Sequence, residues 1–321
     1  MVALECTGAL RKCIKQMFMN RIVCGLLSLS LLWGACQQPQ NEHVITDTPS
    51  NGSIHISVDE SFQPVIEQQI KVYESSYPNA HIIAKYEPEV DCFKDLMSDS
   101  TRMIIVARGL NKQEDSFYLN KLGFKPLFGI MAFDGVAIIV NQNNPDSVFT
   151  LKDLKAILSG QKNIPVVMDG TNATSTVRYL QDTILHGAPF GKNVMATSGS
   201  DSVVSVIKQR NDAIGFVGIS WVGNPNEPKQ VANLKKIRLG LVECTACGEK
   251  DVFVKPSQAS ITYGQYPLTR PIYYILKENA VALGTGFKNF MTLERGQLIF
   301  RSGGLAPAKM DLVNRKSQIE E

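Results

Sequence analysis

The sequence predicts an α/β fold in two lobes, each a mostly parallel sheet flanked by helices. Strand and helix patterns alternate from Gly52 onward, and a second α/β unit begins near residue 135. The chain has 321 residues, 44% of them hydrophobic, which is enough for two domains of ordinary size. A net charge of only +3 gives no indication of a nucleic-acid surface.

The N-terminal part of the chain has the features of an export signal. Residues 22–35 are apolar, follow Arg21 and end in Gly34-Ala35 before Cys36. This stretch is shorter than the ~20 residues that span a bilayer, so a signal is favoured over a membrane helix. Residues 32–36 resemble a bacterial lipoprotein signal, which implies signal region 1–36 and lipidation of Cys36. Residues 37–51 are polar without periodicity and predict a flexible tether, so we expect a lipid-anchored protein in the periplasm or at the cell surface.

Residues 53–107 predict the order strand, helix, strand, helix, strand. Ile54, Ile56 and Val58 alternate with polar residues, as in a strand with one buried face, and helical spacing follows up to Tyr73. Residues 80–86 and 103–107 are apolar runs, with a helical pattern at 90–97 between them. This order implies a parallel sheet with right-handed crossovers, whose ligands bind beyond the carboxyl ends of the strands. Those ends are residues 59–62, 87–89 and 108–109.

The second unit continues the alternation. Residues 112–122 predict a helix, residues 126–133 and 135–141 are apolar runs, and Thr150 caps a helix that Gly160 ends. A short strand at 164–168 leads into a helix after residue 174, and Ser200 is expected to cap the next helix. Residues 213–219 predict a strand. Residues 268–277 form another apolar run, and residues 287–300 predict one further helix.

Residues 168–178 form the most informative segment, because small hydroxyl and amide residues lie between a strand and a helix. The first N–H groups of a helix have no partner within it, and the helix dipole places partial positive charge there, so an oxyanion is stabilised. Asn172, Thr174, Ser175 and Thr176 would add donors without adding charge. The alternative is an ordinary Ser/Thr cap of a surface helix.

Cysteine and histidine spacing gives no metal or cofactor site. Cys244 and Cys247 form a lone CxxC, and a zinc site would need two more ligands for which the sequence offers no spaced partner. A local disulfide or two inert thiols are favoured, and Cys92 is expected in the core. Residues 170–175 lack the Gly-Lys pair of a P-loop, and residues 218–223 are one residue too long for a nucleophile elbow. We therefore expect a protein that is not an enzyme, with no catalytic, metal or cofactor site. A metal-dependent phosphate-ester hydrolase using Glu87, Glu89 and Asp91 remains the alternative.

The ordered set of segments resembles the substrate-binding lipoprotein of the phosphate ABC transporter, in the periplasmic binding protein class. The resemblance rests on residues 59–64, 135–141, 168–178, 212–217, 266–271 and 296–299. It implies lobe I at 52–134 plus 266–321 and lobe II at 135–265, joined by a two-strand hinge. It also implies that inorganic phosphate is captured between the lobes and passed to ABC permease subunits, and we expect a monomer. Binding of sulfate or molybdate, and a sensor role, are alternatives.

The resemblance also implies a set of phosphate-binding residues. Ser61 and the Phe62 amide match the family's first helix start, and Thr174-Ser175-Thr176 match its Ser-Gly-Thr. Arg108 falls where many members carry an Asp or an Arg, and guanidinium suits tetrahedral oxyanions, so it is expected to be the main cationic ligand. The alternative pairs Arg108 with Glu87, Glu89 or Glu114.

The sequence departs from the family pattern at two places. Residues 87–91 replace a Gly/Ser-rich loop, and the Arg that precedes the family's second-lobe hydroxyls is absent, with Gly170 near its position. Arg178 could substitute for that Arg. Glu89 could accept the proton of hydrogen phosphate and so discriminate against sulfate, or it could simply stabilise a helix dipole.

Overall fold

The computed structural model describes residues 46–170 and 174–309. The signal region with Cys36, most of the predicted tether, and Asn172 therefore lie outside the described residues. The last part of the predicted tether contacts lobe I. Arg102 donates two hydrogen bonds of 2.8 Å to the carboxylate of Asp47, which also accepts from the Leu283 amide at 2.8 Å.

The α/β prediction is confirmed, since strands and helices alternate along most of the described chain. The strands are β1 Asn51–Asp59, β2 Asn79–Glu87, β3 Thr101–Val106, β4 Leu127–Asn141, β5 Val148–Phe149, β6 Val166–Met168, β7 Val194–Ala196, β8 Ile214–Gly218, β9 Ile237–Leu239, β10 Leu241–Glu243, β11 Phe253–Val254, β12 Thr269–Leu276 and β13 Ala306–Pro307. The helices are α1 Gln63–Ser76, α2 Glu89–Met97, α3 Lys112–Leu122, α4 Leu151–Leu158, α5 Ser175–Thr183, α6 Ser200–Ile207, α7 Pro228–Leu234, α8 Gln258–Thr262, α9 Leu283–Thr292 and α10 Glu294–Ser302. Two single 3₁₀ turns are η1 Glu60–Phe62 and η2 Ile219–Trp221.

One long strand, β4, connects the two halves of the sheet. Its first part, from Leu127 to Gly135, pairs antiparallel with β12. From Val136 to Val140 it pairs antiparallel with β8 instead. Strands β2, β1 and β3 are parallel on one side, and β8, β6 and β7 are parallel on the other. The two apolar runs expected around residue 134 are therefore a single strand, and the carboxyl ends of β1 and β6 meet near the point where β4 changes partner.

The alternating side chains of β4 pack into two different cores. Ala137 and Ile139 belong to a cluster with β1, α1 and α6 residues, whereas Val136, Ile138 and Val140 pack with residues of α4 and α5. This division follows from the two-residue period of a strand, which directs successive side chains to opposite faces of the sheet. Both faces of β4 are therefore covered from Val136 to Val140, and the polar Asp134 just before this part is fully buried.

The C-terminal helix differs from the prediction. Residues 287–300 form parts of two helices, α9 and α10, because Leu293 between them has an extended backbone with ψ of 176°. The Gln297 side chain donates to the Met291 carbonyl at 2.7 Å, which compensates for interrupted helix hydrogen bonding. Gly296 permits this break, since a Cβ there would lie 2.4 Å from the Phe290 carbonyl oxygen.

Cys244 and Cys247 form a disulfide, one of the two arrangements expected for them, and Cys92 is a buried free thiol. Among the described residues, no helix combines the length and the apolar character that crossing a bilayer requires.

Packing of α6 on β8 depends on Gly215 having no side chain. A Cβ at this position would lie 2.8 Å from methylene or methyl carbons of both Ile207 and Val203. We predict that Gly215→Ala lowers the free energy of unfolding by about 1–3 kcal/mol through overpacking. Urea denaturation measures the effect, with Gly248→Ala as the control, since a Cβ at Gly248 meets no atom within 4 Å. Equal stability of the two variants would contradict the packing argument.

Candidate functional site

Three hydroxyls and one guanidinium, from η1, α5 and β12, meet at the carboxyl end of β1. Ser61 Oγ lies 3.2 Å from Thr176 Oγ1, and Arg270 Nη1 donates to Ser175 Oγ at 2.9 Å and to Thr176 Oγ1 at 3.2 Å. Ser61 belongs to η1, directly after β1, whereas Ser175 and Thr176 open α5. All four side chains are buried, with Arg270 only 1% exposed. We call these four residues the hydroxyl–arginine cluster.

Arg270 is held by an ion pair between neighbouring strands. It lies opposite Asp134 in the β12–β4 register, and its Nε donates to Asp134 Oδ2 at 3.0 Å. Its Nη2 lies 2.9 Å from the same oxygen, yet it makes no hydrogen bond of acceptable geometry with any described residue. The Phe62 ring lies 4.8 Å from the guanidinium. Burial raises the pKa of Asp134, and the charge of Arg270 opposes that effect.

A buried guanidinium with an unused N–H is well suited to bind an anion. Each buried donor without a partner carries a desolvation penalty, which an entering oxyanion would relieve. The backbone of Gly218 packs closely against this pair, since a Cβ there would lie 3.4 Å from Arg270 Nη2 and 3.0 Å from Asp134 Oδ2.

Two buried carboxylates contact the hydroxyl–arginine cluster from either lobe. Asp59 accepts from the Ser61 amide at 2.8 Å and from the Ser175 amide at 3.2 Å. Asp169 accepts from Ser61 Oγ at 3.3 Å and from Thr174 Oγ1 at 2.7 Å. Burial raises the pKa of Asp59 to about 6; the charge of Glu89 adds to this effect, and Arg270 opposes it. The Ser175 amide at the start of α5, expected to be available to an oxyanion, is therefore bound to the chain's own carboxylate.

A third carboxylate from lobe I lies at the start of α6. Glu60 accepts from the Ser200 amide at 3.3 Å and from Ser200 Oγ at 3.2 Å. Burial raises its pKa to about 8, and the nearby charges of Asp169 and Asp59 raise it further. The expectation that Ser200 is a plain cap was wrong, because Gly199 occupies the cap position with φ of 102° and Ser200 is the first helical residue.

The predicted site residues divide into two groups. Ser61, Ser175 and Thr176 come together, and Phe62 lies beside them with its ring against Arg270. Thr174 is the N-cap of α5, where its Oγ1 accepts from the Val177 amide at 3.3 Å. This is the ordinary helix cap that was given as the alternative to an oxyanion site.

Arg108 and Glu89 are engaged elsewhere. Arg108 donates twice to Glu114 at 2.8 Å and stacks over Phe93 at 3.7 Å. Arg108 was expected to be the main cationic ligand, and the structure shows the alternative, a pair with Glu114. Glu89 binds Arg178 from lobe II, at 2.5 and 3.1 Å. Neither side chain bonds to the hydroxyl–arginine cluster.

Sequence reasoning missed Arg270, Asp134, Asp59 and Asp169 as members of the site. A signal existed for two of them, since Arg270 lies within the apolar run 268–277 and Asp134 lies between the apolar runs 126–133 and 135–141. Charged side chains are rarely fully buried unless paired, so two such residues in predicted strands indicate a buried pair.

The carboxylates proposed for the hydrolase alternative have other partners. Glu87 pairs with Lys85 at 2.6 Å, Asp91 with Lys94 at 2.7 Å, and Glu89 with Arg178. Within residues 46–170 and 174–309, no group of three or more His, Cys, Asp or Glu side chains is arranged to hold a metal ion.

The fold and this site place the chain among the two-lobed α/β binding proteins. The chain belongs to the PBP superfamily, whose domain model matches residues 44–295. It is similar to the phosphate-binding protein PstS of Pseudomonas aeruginosa, with 25% identity over 261 residues, covering 73% of this chain and 76% of that protein. PstS of Staphylococcus saprophyticus is 23% identical over 310 residues and 92% of each chain. A Clostridium perfringens structure solved with bound phosphate has a TM-score of 0.66 and 22% identity, covering 80% of this chain and all of that one.

The raised pKa of Glu60 predicts a pH-dependent stability. The pKa is about 8 in the folded protein against an ordinary 4.5, so the folded state binds this proton more tightly than the unfolded chain. The resulting stabilisation is complete below the unfolded pKa and is lost as the pH rises through the folded one. Glu60→Gln stays neutral, so its free energy of unfolding should increase relative to wild type between about pH 5 and pH 9. Denaturation at several pH values measures this.

Glu249→Gln is the control for that measurement, because Glu249 is exposed and lies away from β1. Parallel stability curves for Glu60→Gln and wild type across this range would contradict burial of the Glu60 proton.

Proposed function

We propose that this protein captures inorganic phosphate between its two lobes and delivers it to the permease subunits of an ABC importer, without chemistry on the ligand. The observation that carries the proposal is the hydroxyl–arginine cluster, in which a buried guanidinium with an unused N–H meets hydroxyls of both lobes. The names of the PstS relatives support the choice of phosphate.

The cluster has the donors that a tetrahedral oxyanion needs. Arg270 would supply the positive charge that Arg108 was expected to supply, and guanidinium binds oxyanions through more than one N–H. Ser61, Ser175 and Thr176 now bond to one another or to Arg270. Hydroxyl groups rotate freely, so each could instead donate to a ligand oxygen.

The neighbouring carboxylates favour a protonated oxyanion over sulfate. Asp59 and Asp169 would accept the proton of hydrogen phosphate, whereas sulfate would face unpaired carboxylates and be repelled. This is the role that the sequence suggested for Glu89, whose oxygens are occupied by Arg178 and by the Ala107 amide at 2.9 Å. The raised pKa of Asp59 is consistent with a carboxyl group poised to share a proton near neutral pH.

We further propose that the protein is anchored by a lipid on Cys36 and acts as a monomer in the periplasm or at the cell surface. The motif at residues 32–36 and the extracytoplasmic role of such binding proteins support this. Labelling of cells with a radioactive fatty acid tests the anchor. We expect label in the wild-type protein and none in Cys36→Ser; equal labelling of both would contradict lipidation at this residue.

Isothermal titration of the purified protein with phosphate, sulfate and molybdate tests the ligand. We predict one phosphate site with weaker or no binding of the other two anions. Thr176→Ala should weaken phosphate binding by more than about tenfold, or about 1.4 kcal/mol, because it removes one donor. Arg270→Lys should weaken it by about as much or more, since it keeps the charge near Asp134 but loses the planar donors.

Arg108→Ala is the matched control, because Arg108 pairs with Glu114 and not with the hydroxyl–arginine cluster. Its affinity should stay within about twofold of wild type. Tighter sulfate or molybdate binding would assign another oxyanion, and metal-dependent turnover of a phosphate ester would favour the hydrolase. Failure of wild type to bind any of the three anions would overturn the proposal.

A further inference from the structure

Glu89 and Arg178 form an ion pair that joins the two lobes. Glu89 is the first residue of α2 in lobe I, and Arg178 lies in the first turn of α5 in lobe II. Arg178 Nε donates to Glu89 Oε2 at 2.5 Å and its Nη2 donates to Oε1 at 3.1 Å. The Glu89 side chain is only 3% exposed and that of Arg178 is 33% exposed. The contact therefore lies at the edge of the interface, with the carboxylate on its inner side.

The position of this pair links it to the hydroxyl–arginine cluster. Arg178 lies on the same helix as Ser175 and Thr176, within one turn of them. Glu89 is fixed from lobe I by the amide of Ala107, the residue that follows β3. The ion pair of Arg178 with Glu89 holds the start of α5 against lobe I, which keeps Ser175 and Thr176 next to Ser61. Separation of the lobes would break this ion pair.

The charges in the cleft give this pair an effect on closure. Lobe I contributes the carboxylates of Asp59, Glu60 and Glu89, and lobe II brings Asp169 against them. Like charges brought together oppose closure. Arg178 is a cation that lobe II adds on the same side, and its pKa is raised by Glu89, Asp182 and Asp59 together, in spite of burial. Removing it would leave Glu89 unpaired and nearly buried in the closed form, which is costly.

We propose that the Glu89–Arg178 pair is a latch that stabilises the closed form and thereby sets phosphate affinity and residence time without contacting the ligand. This inference rests on the proposed function for its ligand. A ligand that binds only the closed form has an apparent affinity reduced by the fraction of protein that is open. Asp182 lies one turn along α5, with Oδ2 3.6 Å from Arg178 Nη1. Arg178 would keep this partner in the open form, so loss of the latch would shift the equilibrium between the open and closed forms only moderately.

The test combines phosphate binding with small-angle scattering of the full-length protein. Arg178→Ala is expected to raise the phosphate Kd about tenfold, mainly through faster dissociation, and Arg178→Lys to give an intermediate value. Glu89→Gln keeps an acceptor for the Ala107 amide and is also expected to weaken binding. Without phosphate, Arg178→Ala should show a larger radius of gyration than wild type. Arg210→Ala is the matched control, because Arg210 pairs with Asp212 on the surface of lobe II.

Three outcomes would overturn the latch. The first is an unchanged phosphate Kd and dissociation rate in Arg178→Ala while wild type binds phosphate. The second is tighter phosphate binding by Glu89→Gln together with weaker phosphate binding by Arg178→Ala. That result would mean that Arg178, once released from Glu89, contacts phosphate directly. If wild type binds no phosphate, the proposed function fails, and scattering alone decides the latch: equal radii of wild type and Arg178→Ala reject it.

Discussion

The buried ion pair of Arg270 and Asp134 is the interaction on which the arrangement of the site depends. Transfer of both charges from water is costly, and mutual attraction offsets that cost only when geometry and additional hydrogen bonds are good. The two residues lie opposite each other on β12 and β4, next to the point where β4 leaves β12 for β8. Asp134 also accepts from the Ile219 amide at 3.0 Å, and Arg270 also donates to Ser175 and Thr176. The pair thus ties the connecting strands, η2 and the start of α5 to one place.

The second constraint is an excess of acid around that pair. Asp59, Asp169, Asp134 and Glu60 lie in or beside the cluster, against Arg270, the one fully buried cation among residues 46–170 and 174–309. Several carboxylates in a low-dielectric environment cannot all remain ionised without cost, which explains the raised pKa values of Asp59 and Glu60. An anion entering this site would increase the cost further, so its binding should be accompanied by proton uptake or by a hydrogen bond from the ligand's own proton to a carboxylate. Hydrogen phosphate has a proton to donate in such a hydrogen bond, and sulfate has none.

Local patterns were enough to predict much of the fold and part of the site. The 112–122 helix was predicted at its exact bounds, and β1, β2 and α2 within about two residues, because alternation and helical spacing directly report burial. Ser61, Ser175 and Thr176 were singled out because hydroxyls at helix starts after strands suit an oxyanion, and the structure brings the three side chains together. Arg270 and Asp134 were missed since their partnership depends on the antiparallel register of two strands that are 136 residues apart in sequence. The choice between a ligand role for Arg108 and its pairing with Glu114, six residues away, could not be made from the sequence, because spacing alone does not decide that competition. The break at Leu293 was not predicted, although Gly296 within the helical pattern was a signal for it.

The buried cation of the candidate site lies on β12 and not directly before the second-lobe hydroxyls. The resemblance implies an Arg just before the second-lobe hydroxyls, where this chain has Gly170, and the buried guanidinium comes instead from Arg270 on β12. Because Arg270 pairs with the part of β4 that belongs to lobe I, opening of the cleft would separate it from Ser175 and Thr176 but not from the strands around Ser61. With the lobe bounds that the resemblance implies, the positive charge would stay with lobe I in either form, while lobe II would supply hydroxyls and Arg178. In such an arrangement the attraction of an anion to lobe I does not by itself require closure. Contacts that exist only in the closed form, the hydroxyls of α5 and the Glu89–Arg178 latch, are then the ones that couple ligand capture to movement of the lobes.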